Sequence, residues 1–196
     1  MDLDRSNHYS LRRREVVKLL LDHRDSGLLI VSGLGAPTWD VTAAGDEPLN
    51  FPLWGAMGGA VSIGLGLAIA QPTRRILVIT GDGEMLMGLG SLATVSIQSP
   101  SNFAILVLDN ERYGETGMQK THTAFGVDLP AVAAAVGFYS VETVTNNKEL
   151  DKAFPKILGG LGPLFCSIKV RAESLDFVLP PNDGVILKNR MRKALL

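Results

Sequence analysis

The chain has 196 residues, enough for one domain with a substantial core. Its net charge of −1 gives no electrostatic drive toward nucleic acid or an anionic membrane, and 46% hydrophobic with 20% charged residues is an ordinary globular balance. A single cysteine, Cys166, excludes an internal disulfide framework; inside the apolar run Leu164–Val170 it reads as a buried, inert thiol.

Helix and strand signals alternate along the chain. Ser10–Arg24 has an amphipathic helical pattern, with Leu11, Val16, Val17, Leu19 and Leu20 among basic residues. Leu28–Val31 is a short apolar strand. Gly33 to Pro52 is rich in Gly, Pro and Asp and reads as a loop. Gly55–Ala70 reads as a glycine-studded helix, Arg75–Thr80 as a β-branched strand, Met85–Gln98 as a helix and Phe103–Asp109 as a second β-rich strand. Helix Leu129–Val136, strand Tyr139–Val144, helix Asn147–Leu158 with an Asn cap, and strand Leu164–Val170 complete the pattern. The segment after Asp183 carries Lys188, Arg190, Arg192 and Lys193 without an acid, as a solvated or partner-packed helix would.

Continuous apolar strands separated by helices imply an α/β fold, a doubly wound parallel sheet with helices on both faces. One domain is expected over residues 1–171, with a C-terminal tail over 172–196. The uncharged stretch from Pro48 to Thr73 resembles a membrane span at first sight. Pro52 and five glycines interrupt it, and its helical part is shorter than the ~20 residues a bilayer needs. The polar N-terminus has no signal-peptide core, so the expected location is the cytoplasm.

The most informative feature is Gly81-Asp82-Gly83 directly after one strand and Asp109-Asn110 directly after the next. The connection between them is helical, which makes it a crossover between parallel strands. If the strands are neighbours, Asp82 and Asn110 emerge at the same carboxyl edge, where open α/β sheets bind ligands. A charged and a neutral oxygen suit Mg²⁺, which usually keeps substrate phosphates in its shell. Gly81 and Gly83 let backbone approach a phosphate, and the following helix start offers free N–H groups.

This pattern resembles the motif of thiamine diphosphate enzymes: Gly-Asp-Gly, about 25 residues, then Asn-Asn, here with Asp109 at the first Asn. Gly33–Pro37, Asn50–Leu67, Gly81–Thr94 and Leu108–Thr123 resemble the 2-oxo acid decarboxylases of that family. They are most similar to the β subunits of sulfopyruvate decarboxylases and the C-terminal domain of phosphonopyruvate decarboxylases. The resemblance implies Mg²⁺ ligation by the Asp82 and Asn110 side chains and the Arg112 carbonyl. It implies diphosphate contacts around Gly81 and from the backbone of Gly83 and Glu84, with the Glu84 carboxylate pointing away. Met57, in Trp54–Gly58, would prop the cofactor in its bent form, and the Gly55 carbonyl would accept from the 4′-amino group. Tyr113, Thr116 and Gly117, in the segment 113–123, would complete the cofactor loop. His122 is a candidate substrate contact, and Arg112 and Lys120 are candidate cations for a second substrate anion.

The family's catalytic glutamate, which protonates the pyrimidine, lies on a separate domain for which this chain has no room. The resemblance therefore implies a hetero-oligomer with a pyrimidine-domain partner subunit, with two or more copies of each chain. The implied reaction converts a small 2-oxo acid, sulfopyruvate or phosphonopyruvate, to an aldehyde and CO₂. Two alternatives stand beside it. One is the cofactor subunit of another thiamine enzyme: a 2-oxo acid oxidoreductase, or an acetolactate synthase-like or transketolase-like protein. The other is a regulatory homologue that binds no cofactor. A dinucleotide site is disfavoured: Gly33-x-Gly35 is followed by Thr38, and Gly81-x-Gly83 by Leu86, where the third glycine belongs. Walker, HExxH and GxSxG motifs are absent, and His8, His23 and His122 lack metal-site spacing.

Overall fold

A computed structural model describes residues 4–196. Six strands form one parallel sheet: β1 (Leu29–Ser32), β2 (Asn50–Pro52), β3 (Ile76–Gly81), β4 (Phe103–Asp109), β7 (Ser140–Val144) and β8 (Leu164–Lys169), in the order β2-β1-β3-β4-β8-β7. The central strands β1, β3 and β4 are apolar without alternation because both faces are covered. Leu77 and Ile79 face one core, Ile76 and Val78 the other.

Helices α1 (Arg13–Leu21), α2 (Ala36–Ala44) and α7 (Asn147–Gly159) cover the first face. Helices α3 (Ala60–Ala70), α4 (Asp82–Met87), α5 (Ser91–Gln98), α6 (Leu129–Val136) and α8 (Gly184–Leu195) cover the second. The doubly wound parallel sheet expected from the sequence is thus the fold. Asn146 caps α7, its side chain accepting from Glu149 N at 3.1 Å. Gly64 lets α3 lie directly on the sheet: a Cβ there would come within 2.4 Å of Val78 and 2.9 Å of Phe103. No helix among the described residues is long and apolar enough to cross a membrane.

Several expectations are corrected. The stretch from Gly33 to Pro52 is not all loop, because it holds α2 and the edge strand β2. Thr38, Trp39, Asp40 and Val41 are buried, and Pro37 at the first turn is compatible with a helix start. Helix α3 starts at Ala60, after a turn with positive φ at Ala56 and Gly58, not at Gly55. The helix expected over Met85–Gln98 is two helices, broken at Gly88–Gly90. There the backbone runs against the 58–59 turn, and a Cβ on Gly88 would sit 2.3 Å from the Gly58 carbonyl oxygen. The basic segment after Asp183 forms α8, with Leu187 and Met191 buried and Arg190 paired with Asp46.

Candidate cofactor site

Two strand ends meet at one carboxyl edge. β3 and β4 are direct neighbours, with Gly81 opposite Leu108, so Asp82 and Asn110 emerge side by side. Beyond them, β5 (Arg112–Tyr113) and β6 (Gln119–Lys120) form a small antiparallel hairpin. Between β3, β4, the hairpin and the start of α2 lies a cleft. Its lining includes Met57, Gly81, Asp82, Gly83, Glu84 and Asn110. Arg112, Tyr113 and Thr116 also face it, so most of the residues singled out from the sequence converge. Gly55, Gly117 and His122 do not line the cleft, and all three are exposed.

Asp82 is buried, and its Oδ2 accepts from the Thr121 hydroxyl and, at 3.1 Å, from the Thr123 hydroxyl. Burial, then the nearby Asp109 charge, hold its carboxyl well above the ordinary carboxylate range, and the two threonines only partly oppose this. A cation in the cleft would reverse that penalty. Asn110 Oδ1 accepts from Arg112 N at 3.0 Å, closing a turn that fixes the side chain. Gly83 packs against the Tyr113 ring, so tightly that a Cβ would lie 2.5 Å from it. Glu84 turns its carboxylate back toward β3, where Thr80 Oγ1 donates at 2.9 Å. That carboxylate fills the space a Gly33 side chain would need. Burial pushes the Glu84 carboxyl up, while Thr80 and the backbone N–H groups of Ala60, Gly58 and Leu34 favour its charge.

The donor set suits a hard cation that retains phosphate oxygens. Among the described residues no group of three or more His, Cys, Asp or Glu is placed to hold a metal. Asp82 and Asn110 bring a charged and a neutral side-chain oxygen to the cleft, the donor type that Mg²⁺ would take together with phosphate oxygens.

The Arg112 guanidinium, a candidate cation for the substrate, is held by partners within the chain. It is buried, with Nη1 on the Glu111 carbonyl at 2.9 Å and Nη2 on Asp4 at 3.1 Å. Lys120 also lies 3.4 Å from Asp4. Asp4, in the N-terminal segment, meets both cations, a pairing that spacing alone cannot reveal. Sequence reasoning also missed Thr121 and Thr123, which bridge Asp82 to Asp109, and Lys169, which pairs with Asp109 at 2.7 Å. Lys169 ends β8, and only the strand order β4-β8 places it beside Asp109.

Residues 40–168 match the family described as thiamine pyrophosphate enzyme, C-terminal TPP binding domain. The chain is 37% identical to sulfopyruvate decarboxylase subunit beta of Methanocaldococcus jannaschii, covering 94% of this chain and 97% of that one. It is 42% identical to phosphonopyruvate decarboxylase of Streptomyces viridochromogenes over 75% of this chain, and there it spans only 36% of the relative. In structure it resembles benzoylformate decarboxylase from Polynucleobacter necessarius, with a TM-score of 0.72 at 18% identity, covering 86% of this chain and 34% of that one. The matched family and the similarity to its named relatives agree: the chain belongs to the thiamine pyrophosphate enzymes and carries their C-terminal TPP-binding domain.

Proposed function

We propose that this chain is the diphosphate- and Mg²⁺-binding subunit of a thiamine diphosphate-dependent decarboxylase that converts a 2-oxo acid to an aldehyde and CO₂. The observation that carries the reading is the cleft itself, with buried Asp82 and Asn110 on neighbouring strand ends and a glycine backbone beside them. The full-length similarity to a subunit named sulfopyruvate decarboxylase beta supports the reaction class.

In this reading Asp82 and Asn110 hold Mg²⁺ with their side chains, and Arg112 with its carbonyl. The N–H groups of Gly83 and Glu84 meet the diphosphate. Glu84 can do so because its carboxylate is tucked against Thr80, which keeps its charge turned away. Met57, half-buried at the cleft, would prop the bound cofactor. The Gly55 carbonyl, on an exposed turn outside the cleft, would accept the cofactor's 4′-amino hydrogen bond. Tyr113, Thr116 and Gly117 form the loop beside the diphosphate. When bound, the cofactor supplies an electron sink for loss of CO₂.

A pyrimidine-domain partner subunit carries the catalytic glutamate, in a cytoplasmic hetero-oligomer of at least two copies of each chain. The substrate is sulfopyruvate or phosphonopyruvate. Because the Arg112 guanidinium is engaged by Asp4 and Glu111, the cation facing the substrate's second anion comes from the partner subunit. The test compares kcat/KM for sulfopyruvate, phosphonopyruvate and pyruvate on the assembled enzyme. Preference for one of the first two by about 100-fold is expected, since a buried cation left unpaired costs several kcal/mol. Equal values, or turnover by this chain without any partner, refute the assignment.

A further inference from the structure

Glu111 sits between the two loop residues assigned to the metal, and its conformation is unusual. Its φ is +60°, a left-handed value that costs a residue with a Cβ roughly 1–2 kcal/mol. Its side chain is fully buried. A carboxylate without water and a strained backbone persist together only where surroundings hold both.

Three donors from remote parts of the chain do so. Arg5 Nε donates to Glu111 Oε1 at 2.9 Å, Tyr9 Oη to the same oxygen at 2.7 Å, and Lys169 Nζ at 3.2 Å. Arg5 also donates from Nη2 to the Thr123 carbonyl at 3.1 Å, on the far side of the loop. The segment carrying Arg5 and Tyr9 is itself seated on the chain after β8. Ala172 N donates to the Ser6 carbonyl at 2.9 Å, and Arg171 Nε to the Tyr9 carbonyl at 3.0 Å. The Glu111 carbonyl meanwhile accepts from Thr121 N at 3.0 Å, next to the hydroxyl that holds Asp82.

We propose that Arg5, Tyr9 and Lys169 are positioning residues: they grip the Glu111 carboxylate, hold its left-handed backbone, and so aim Asn110 and the Arg112 carbonyl at the metal. This rests on Asn110 and Arg112 being Mg²⁺ ligands. The lever is geometric. If Glu111 relaxed to negative φ, the peptides on either side would rotate, and the Arg112 carbonyl would swing away by ångströms. Mg²⁺ requires oxygens at about 2.0–2.1 Å in a near-ideal octahedron and does not follow such a shift. The N-terminal segment, about a hundred residues from the motif, is thereby part of the metal site.

The experiment titrates Mg²⁺ by calorimetry into the partner-assembled protein at saturating thiamine diphosphate, well below the melting temperature. The melting temperature of the metal-free protein is measured in parallel. Arg5→Ala is expected to weaken Mg²⁺ binding by about tenfold or more, the range for losing groups behind the direct ligands. Tyr9→Phe should weaken it several-fold, and Arg5→Lys should recover part of the Arg5→Ala loss. Tyr9→Phe removes one hydroxyl and keeps the ring, so it decides the matter if Arg5→Ala fails to fold. Asp82→Ala is the reference. Wild-type Mg²⁺ affinity in Tyr9→Phe and Arg5→Ala, with affinity lost in Asp82→Ala, overturns the positioning role and leaves the metal assignment standing. Lowered melting temperature with unchanged Mg²⁺ affinity also overturns it, as a purely structural contact. Unchanged affinity in Asp82→Ala removes the metal assignment and the proposal with it.

Discussion

Asp82→Ala is the sharpest perturbation of the cleft, because ligand binding and folding should respond very differently. It removes the one charged oxygen assigned to Mg²⁺. Losing a group one layer behind a metal already costs about 10–100-fold in affinity, and a direct ligand should cost at least that, about 1.4–2.8 kcal/mol. The metal-free fold should tolerate the change. Thr121 and Thr123 lose a charged acceptor, but they keep each other at 2.9 Å, and Thr123 keeps Asp109 at 2.8 Å. The substitution also removes a carboxylate whose ionisation is opposed by burial and by Asp109. The net change in stability should stay within about 2 kcal/mol, a melting shift of under about 8 °C for a domain of this size. Calorimetry with thiamine diphosphate and Mg²⁺ on the assembled complex, alongside thermal melts without metal, checks both parts. Asp82→Asn, which keeps the shape but not the charge, should fall between wild type and Asp82→Ala in affinity. Unchanged cofactor affinity would refute the reasoning. So would collapse of the metal-free fold, which would mean the carboxylate serves packing.

Three further outcomes are expected. Met57→Ala should lower turnover more than diphosphate affinity, because the metal anchor is untouched; a large melting shift of the kind that follows loss of about 2–5 kcal/mol, with normal turnover, would make Met57 a packing residue only. Gly64→Ala should destabilise the protein by about 1–3 kcal/mol in denaturant melts, since the new methyl meets Val78 and Phe103, and Mg²⁺ affinity of the folded protein should be unchanged. Burial, then the Glu142 charge, pushes the Cys166 thiol up to about 12, so it should resist alkylation in the native protein at pH 8. Between the unfolded thiol value of about 8.5 and the folded one, only the unfolded chain ionises, so stability should fall by up to about 1.4 kcal/mol per pH unit as pH rises. Cys166→Ala should remove that part of the slope in alkaline denaturant titrations.

What was legible in the sequence is what depends on short-range pattern. β3 and β4 are continuous β-branched and apolar runs, which only a sheet covered on both faces accommodates. Gly81-Asp82-Gly83 and Asp109-Asn110 follow those runs directly, so local order and the parallel crossover place them at one edge. The breaks were illegible for the same reason. Nothing local in Gly88 announces that the Gly58 carbonyl will press on it, and the polar stretch before Pro52 hides a helix that tertiary burial selects. Charges were the least legible. Arg112 beside a metal motif reads as available, yet its guanidinium is turned onto Asp4 and the backbone. Glu111 carries no signal of its own in the sequence, and Arg5, Tyr9 and Lys169 hold its buried carboxylate. These side-chain partners lie 58 to 108 residues apart in the chain. The sequence by itself determined the strands, the crossover and the oxygen-bearing residue types at the two strand ends, because these follow from nearest-neighbour chemistry. Only the tertiary structure decided which charge meets which, because strand order and chain return, not spacing, bring such groups within hydrogen-bond reach.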